Sequence, residues 1–535
     1  MNHISYAYGT NHFLCDGDLI AVLRHIWPDF DAYQERLIEF GAYAGKELYE
    51  ASYHIDHDAP PVLLAHDLDG QRVDRVRLSP AEQSALKASA WIMSPPYRGG
   101  GWPYHYALLY LLADPGLGCI LTITNQAVYA LHKYGGAVAD ADAITEKLLS
   151  GEFWGATWFT ESQGGSDLGV NEATALFDHG IWKLSGDKYF ASGAGLTDYA
   201  ITTARPQGAQ AGPKGLALFL LPRLNRDGEL NFHVRRLKDK SATRGVPSGE
   251  VELDNSEAYL IGDADKGIYY ALENLTVSRL ANSIVAMAMG KKAHLEVLAR
   301  VERRKSFGGL LRDHPLIRRD LTDLAVRSAG GLALSFSAVA QFNRVWADRP
   351  PFTMDYHVTR LMTHLAKNRT ADHAAAMTGL AMELFGGLGF LEEYSIARWH
   401  REALITPIWE GPSNIQALDF LETVQRYKAH EPFLSAMEHL LRRPDTYASR
   451  DTLDRMAKSL ELLAHAKGRE AQWLSKDVLT TVADASQVAL LYDLADSQGE
   501  RFAKLAELYH RRFLEHREYP SWVDEDPEVW NGVGD

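Results

Sequence analysis

The order of patterns along the chain predicts an α+β fold with segregated helices and strands, rather than a doubly wound parallel sheet. Helical periodicity dominates residues 18–150 and returns from Gly267 onward. Between these regions, short β-branched and aromatic stretches are broken by Gly, Pro, Asp and Asn, which is typical of antiparallel strands. The sequence contains no strand followed by Gly-x-Gly-x-x-Gly and a helix, so a Rossmann nucleotide site is not expected.

Changes in these patterns divide the chain into four expected segments. They are helices over 1–154, antiparallel strands over 155–263, helices over 264–428 and a further helical section over 429–535. In the last segment the apolar side chains at 453, 456, 460 and 463 share one helical face. The segment ends in an acidic tail that we expect to be loose.

Composition indicates a globular protein without a membrane span. The chain has 535 residues, of which 46% are hydrophobic, and it contains no apolar run of about 18 residues. The N-terminus has neither a signal-peptide nor a transit-peptide pattern, and the two cysteines, Cys15 and Cys119, have no metal-like spacing. A cytoplasmic protein with free thiols is therefore expected. The net charge of −15 disfavours a global attraction to nucleic acid.

Five motifs follow one another along the chain. The strand region carries Thr160-Glu161-Ser162-Gln163-Gly164-Gly165-Ser166-Asp167 and then Ser185-Gly186-Asp187-Lys188-Tyr189-Phe190-Ala191-Ser192. The following helical region carries Arg303-Arg304-Lys305-Ser306-Phe307-Gly308. It also carries Glu383-Leu384-Phe385-Gly386-Gly387-Leu388-Gly389-Phe390, followed by Ile408-Trp409-Glu410-Gly411-Pro412-Ser413-Asn414-Ile415-Gln416.

Together these motifs resemble the acyl-CoA dehydrogenase superfamily over about residues 20–425. Chain length, the extra C-terminal section, the Leu237-Lys238-Asp239-Lys240 segment with Arg244, and Leu418-Asp419 after Glu410 are similar to its AidB-like branch. The resemblance implies an N-terminal helical domain, a middle antiparallel β-barrel and a C-terminal four-helix-type bundle, followed by the extra helical section.

The resemblance also implies αβ-desaturation of an acyl-CoA thioester. In this reaction a base takes the α proton while the β hydrogen leaves as a hydride to N5 of FAD. Glu410, followed by Gly411, matches the catalytic glutamate of the family, and a carboxylate in an apolar pocket is a stronger base. The alternative family base would directly precede Arg279, but Ser278 stands there and cannot act as one.

Further residues match family positions that contact the cofactor or the substrate. The expected FAD contacts are Phe159, Thr160, Gly165, Ser166, Phe190, Ser192, Arg304, Phe307, Gly386, Gly387 and Asn414. Ser166 and Arg279 are the expected acyl-CoA contacts. Arg304 and Phe307 match residues that reach the FAD of a neighbouring subunit, so the resemblance implies a homo-oligomer, expected to be a tetramer. An electron-transfer flavoprotein or a similar acceptor is the expected redox partner, and fatty acid metabolism the expected setting.

Two other functions stay open at this point. One is an AidB-type DNA-binding flavoprotein of the alkylation response with little dehydrogenase activity, and the other is a flavin oxidase on the same fold. The basic pairs Arg442-Arg443 and Arg511-Arg512 are the candidate DNA contacts, but nearby acidic residues dilute them, so little DNA binding is expected. The segment His54–Asp58 lacks a strong metal pattern, and no metal site is predicted.

Overall fold

The computed structural model describes residues 5–531, and its contacts divide the chain into two compact units. The first unit comprises residues 5–49, 96–113 and 279–531, and the second comprises residues 50–95 and 114–278. The N-terminal helical region is therefore divided between the units: residues 5–49 and 96–113 belong to the first, and residues 50–95 and those from 114 onward belong to the second.

Helices make up most of the described chain. In chain order they are α1 (Gly17–Ile26), α2 (Phe30–Gly45), α3 (Glu47–His57), α4 (Pro80–Ser89), α5 (Gly101–Leu112), α6 (Pro115–Tyr134), α7 (Ala141–Ser150), α8 (Gly267–Val301), α9 (Pro315–Val345), α10 (Met354–Phe385), α11 (Ser395–Ala403), α12 (Ser413–Gln425), α13 (His430–Arg442), α14 (Tyr447–His465), α15 (Gly468–Gln498), α16 (Arg501–Tyr509) and α17 (Pro527–Asn531).

The strands lie mainly between α7 and α8, as the sequence predicts. They are β1 (Val62–His66), β2 (Arg72–Arg77), β3 (Gly155–Trp158), β4 (Thr174–Asp178), β5 (Ile181–Ser192), β6 (Tyr199–Pro206), β7 (Ala217–Pro222), β8 (His233–Leu237), β9 (Ser248–Leu260), β10 (Lys305–Ser306) and β11 (Gly309–Leu310).

The middle strands of the second unit close into a barrel. Antiparallel pairing links β4 to β5, β5 to β9, β9 to β7 and β7 to β6, and a short parallel pairing of β4 with β6 completes the ring. Strand β8 adds to β9, and β3 lies parallel to β6. Trp158, Phe219, Leu253 and small alanines fill the interior. The predicted α+β fold is confirmed, although β6 pairs parallel with two strands. Parallel pairing requires a long connection, which the intervening strands provide.

The long helices α9, α10 and α15 pack together in the first unit, and α14 packs on α15. The predicted stripe on α14 is present, with Met456, Leu460 and Leu463 buried. The prediction of a loose acidic tail is wrong up to residue 531, because Val523 and Val529 are buried there. The tail carboxylates also pair with cations, as when Lys504 binds Asp526 at 2.7 Å.

Two hairpins were not predicted. Strands β1 and β2 pair within a region predicted as helix and loop, and β10 and β11 form a short hairpin after α8.

Within residues 5–531, no helix is both long enough and apolar enough to cross a membrane. Over the same residues, no cluster of three or more His, Cys, Asp or Glu side chains is arranged to hold a metal ion.

Candidate active site

The predicted base lies in a strained turn of the first unit. Glu410 has φ of 59° and Gly411 has φ of 93°, so both adopt the left-handed region just before α12 begins. A non-glycine residue pays an energetic cost for this conformation, and such residues persist where surrounding structure enforces them. The side chain of Glu410 is half-buried. This geometry indicates a turn that is held in place rather than a relaxed loop.

The donors that hold this turn come from three different helices. Arg279 Nε of α8 donates to the Glu410 carbonyl at 3.1 Å. Lys367 Nζ of α10 donates to the Gly411 carbonyl at 2.8 Å. Gln416 Nε2 of α12 lies 2.9 Å from both carbonyl oxygens. Each carbonyl of the turn therefore has two side-chain donors, which fix the direction in which the Glu410 backbone runs.

The donors are themselves fixed by further contacts. Arg279 Nη1 pairs with Asp419 Oδ2 at 2.9 Å, and Gln416 Oε1 lies 2.9 Å from Nδ1 of the buried His364. Burial lowers the pKa of His364 to about 3, so this imidazole is neutral at physiological pH. Burial opposes ionisation of Asp419, but Arg279 and other nearby cations outweigh it and lower the pKa of that carboxyl. Arg279 is thus charge-compensated by Asp419.

The predicted flavin residues of the second unit gather at neighbouring strand ends. The Tyr189 amide donates to the Thr160 carbonyl at 3.0 Å, and Trp158 Nε1 donates to the Ser192 carbonyl at 2.9 Å. These two bonds bring Thr160 beside the end of β5, where Ser192 is half-buried and the Phe190 ring is 56% exposed. Two hydroxyls and one exposed aromatic ring, with Lys238 Nζ 4.9 Å from its centroid, therefore share this end of the barrel.

The loop between β3 and β4 is fixed by a buried ion pair. Lys188 Nζ of β5 lies 2.8 Å from Glu161 Oε1 and also donates to the Thr203 carbonyl at 2.8 Å. Both side chains are at most 3% exposed. The same carboxylate accepts the Glu172 amide at 2.7 Å, which ties the far end of the loop. Within this loop Ser166 is exposed.

Other predicted residues near these groups take simple structural positions. Gly165 lies against Thr160, so that an added Cβ would come within 3.0 Å of Thr160 Cγ2. Phe159 is buried, and its carbonyl accepts Asn171 Nδ2 at 2.7 Å. Asn414, in the first turn of α12, is exposed, with its Oδ1 3.5 Å from Lys476 Nζ.

The remaining predicted residues of the first unit lie on separate elements. Arg304 and Phe307 are exposed beside and within the β10–β11 hairpin, where the Phe307 side chain is 98% exposed at a φ of 49°. Gly386 ends α10 with φ of 63°, and an added Cβ at Gly386 or Gly387 would meet no atom within 4 Å. The close backbone approach in this run occurs at Gly389, whose added Cβ would lie 2.2 Å from the Met382 carbonyl oxygen.

The basic pairs of the C-terminal section lie beside acidic groups. Arg442 pairs with Glu438, and Arg443 Nη2 lies 2.5 Å from Asp493 Oδ1 and 2.7 Å from Asp496 Oδ2. Arg511 donates to the Glu518 carbonyl, while Arg512 lies near the carboxylates of Asp323, at 3.4 Å, and Glu518, at 3.6 Å. These contacts reduce the positive potential that phosphate binding requires.

Sequence reasoning did not identify Lys367 as part of the candidate site. It lies in the middle of α10, and no local motif marks it. Gln416 and Asp419 lie in sequence motifs, but the contact of Gln416 with the turn and that of Asp419 with Arg279 depend on how α12 packs against α8 and α10. Only the apolar surroundings of this lysine in the sequence, Leu365 and Ala366 directly before it, hinted that it is buried.

Comparison with known proteins gives one consistent family. The chain matches the family models for the acyl-CoA dehydrogenase C-terminal domain over residues 265–424, the acyl-CoA dehydrogenase middle domain over 156–256, and the adaptive response protein AidB N-terminal domain over 2–153. AidB of Escherichia coli (strain K12) is 29% identical over 488 residues, which are 86% of each chain.

Two solved structures share the fold. Caenorhabditis elegans ACDH-11 in complex with C11-CoA has a TM-score of 0.85 and 23% identity, covering 97% of this chain and 94% of its own. A Bacillus anthracis acyl-CoA dehydrogenase complexed with FAD has a TM-score of 0.69 and 16% identity, covering 96% of this chain and 87% of its own. With the three family models arranged in order along the sequence, the chain belongs to the acyl-CoA dehydrogenase superfamily of oxidoreductases, in its AidB-like branch.

Proposed function

We propose that this protein is an FAD-dependent acyl-CoA dehydrogenase that desaturates an acyl-CoA between its α and β carbons. The observation that carries the proposal is the Glu410–Gly411 turn, held in a strained conformation by donors from α8, α10 and α12. Strained backbone conformations that surrounding structure enforces cluster at active sites. The ACDH-11 relative, whose structure holds C11-CoA, supports an acyl-CoA as the substrate class.

The residues of the barrel end fit a flavin. The exposed Phe190 ring offers an aromatic face, and Thr160 and Ser192 offer hydroxyl groups nearby. Gly386 and Gly387 leave open space beside their backbones, where an extended cofactor could approach closely. When bound, FAD would accept the β hydrogen as a hydride. The Bacillus anthracis relative, which is complexed with FAD, supports this choice of cofactor.

Within this mechanism the chain's own residues move one proton and hold the base. Glu410 takes the α proton of the thioester, a weak acid, so the carboxylate must be ionised and aimed before the reaction. Arg279 and Gln416 fix the Glu410 carbonyl and thereby limit rotation of its backbone. We therefore assign Arg279 to positioning the turn, in addition to the acyl-CoA contact that the resemblance implies.

The test is flavin reduction by a panel of acyl-CoAs under anaerobic conditions. Glu410→Gln keeps the size of the side chain but removes its basicity. We expect the variant to retain FAD and to lose reduction about 100-fold or more, the lower end of a general base's contribution. Glu438→Gln, which changes a half-buried helix glutamate paired with Arg442, is the matched control and should behave like the wild type. An unchanged reduction rate in Glu410→Gln would show that Glu410 is not the base.

A DNA-binding flavoprotein is the second candidate, favoured by the match to the AidB N-terminal domain. The ion-paired state of Arg443 and Arg512 weighs against it. A salt titration with duplex DNA separates the two functions, because phosphate contacts make binding steeply salt-dependent. Submicromolar binding at about 150 mM salt that disappears in Arg511→Glu/Arg512→Glu would favour DNA protection.

The flavin oxidase alternative differs only in where the electrons go after the flavin is reduced. Peroxide formation in air, measured against reduction of an electron-transfer flavoprotein, distinguishes an oxidase from a dehydrogenase. We expect the electron-transfer flavoprotein to be reduced with little peroxide. We place this activity in a homotetramer, because Arg304 and Phe307 match residues that complete a neighbour's cofactor site.

A further inference from the structure

One buried cation touches the candidate catalytic turn and belongs to no family motif used above. Lys367 is 1% exposed in the middle of α10, and its Nζ donates to the Gly411 carbonyl at 2.8 Å. Burying an ammonium costs several kcal/mol unless nearby groups stabilise it. A hydrophobic residue would fill this place at a lower cost in folding free energy, so the presence of a charged lysine here needs an explanation.

The charges around Lys367 identify its electrostatic partner. Glu410 is the main group that favours its charged form, Arg279 opposes that form, and Asp372 on the same helix favours it weakly. Arg279 is already compensated by Asp419 at 2.9 Å, and Asp372 forms a 3.7 Å pair with Arg369. Glu410 directly precedes Gly411, whose carbonyl accepts the Lys367 hydrogen bond, and it is therefore the acidic group that most favours this ammonium.

Burial lowers the pKa of Lys367 from its ordinary 10.5 to about 7, although Glu410 partly restores it. The lysine therefore changes charge close to neutral pH, where an ordinary lysine would not. The other titratable group packed near the turn, His364, stays neutral there because burial lowers its pKa to about 3. Near neutrality, Lys367 is thus a local charge that can respond to the state of Glu410.

We propose that Lys367 is a positioning residue for Glu410: it fastens the Gly411 carbonyl from α10 and its charge favours the ionised, proton-accepting carboxylate. This inference depends on the proposed function for its kinetic consequence, but the coupling between the two charges does not. A cation near a carboxylate stabilises the anion. Removing the cation should therefore make Glu410 hold its proton to higher pH.

The kinetic test is the pH profile of flavin reduction in Lys367→Met. We expect its acidic limb to move upward by about one pH unit, the low end of the effect of a nearby opposite charge. Lys367→Arg keeps a cation and should return the limb close to its wild-type position even if the rate is lower. A structural defect alone would lower the rate at all pH values without moving the limb.

Arg360→Met is the matched control. Arg360 is a half-buried cation two turns earlier on α10, and its Nη2 pairs with Glu422 on α12 at 2.8 Å instead of contacting the turn. Its loss should destabilise the helix packing but leave the acidic limb unmoved. A Lys367→Met profile that stays in place, or moves no more than that of Arg360→Met, would overturn the proposal.

A second measurement needs no acyl-CoA turnover. Folded Lys367 binds its proton less tightly than the unfolded chain does, so its contribution to stability should rise with pH from about 7 toward 10.5. The wild type should therefore gain urea resistance relative to Lys367→Met across this range. In the Glu410→Gln background the lysine loses its main partner, so the rise should begin at lower pH.

This second readout separates two kinds of failure. One outcome is that no acyl-CoA reduces the flavin but the pH at which stability begins to rise is lower in Glu410→Gln. The proposed function then fails, while the coupling of Lys367 to Glu410 stands. The other outcome is that the flavin is reduced, but the acidic limb does not move in Lys367→Met and the stability rise does not move in Glu410→Gln. The positioning role of Lys367 is then refuted, and the proposed function stands.

Discussion

Lys188→Met should release the loop that carries the predicted flavin and acyl-CoA contacts. The substitution keeps the approximate length of the side chain and removes its charge, in a place where Lys188 is 0% and Glu161 3% exposed. Removing one partner of a buried ion pair typically costs about 3–5 kcal/mol, because the other charge stays buried without compensation. Burial alone lowers the pKa of Lys188, while Glu161 acts to restore it, so the two charges depend on each other.

The structure places this variant at the low end of that range. The Glu161 carboxylate keeps the Gln163 side chain at 2.8 Å and the Glu172 amide at 2.7 Å as donors after the lysine is gone. Only the Thr203 carbonyl loses a donor outright. A cost of about 3 kcal/mol corresponds to roughly a 100-fold more frequent opening of the loop, since 1.4 kcal/mol is a factor of ten.

Amide hydrogen exchange, read by mass spectrometry on peptides covering residues 159–174, measures that opening. Arg235→Met is the control, because Arg235 forms pairs with Asp187 at 2.9 Å and Glu252 at 3.2 Å but is about half exposed. Such surface pairs contribute about 0–1 kcal/mol. Adding Glu161→Gln to Lys188→Met should restore much of the protection, since the unpaired charge is gone. Exchange that is equally fast in wild type and Lys188→Met would refute the reasoning.

Two further predictions concern the turn and the assembly. Gly411→Ala should slow flavin reduction and lower the free energy of unfolding by about 1–3 kcal/mol. The reasons are that φ at this position is 93° and that the new Cβ would lie 2.9 Å from Gln416 Nε2. Thermal unfolding and turnover measure the two effects, and Gly136→Ala, where an added Cβ meets open space, is the control. Phe307→Asp should reduce the mass measured by light scattering and weaken FAD retention, whereas Leu68→Asp, equally exposed on another hairpin, should change neither. An unchanged mass in Phe307→Asp would contradict the proposed subunit interface.

The sequence predicted the layers of this fold well, because they depend on local periodicity. The stripe at Met456, Leu460 and Leu463 and the β-branched stretches of the barrel each carry their own signal. The hairpin of β1 and β2 was missed because β1 is a short apolar run without polar alternation and β2 consists mostly of charged residues. The packed tail was missed because its acidic composition concealed two buried valines.

The candidate site was predictable only where residues lie in a motif. Glu410 and Gly411 could be found from the motif around them, and Ser192 from the motif that runs from Ser185 to Ser192. Lys367 could not, because its contact with Gly411 spans 44 positions and depends on the packing of α10 beside the turn.

The held turn changes what should be compared among AidB-like proteins. The carbonyls of a left-handed turn lie outside helix and sheet ladders, so they need other hydrogen-bond donors. Here those donors are Arg279, Lys367 and Gln416, which lie on three helices and reach two carbonyl oxygens. A protein could keep the glutamate yet lose the lysine, and its base would then be held less firmly and be ionised only at higher pH. Dehydrogenase activity in this branch should therefore follow the complete set of donors rather than the glutamate alone.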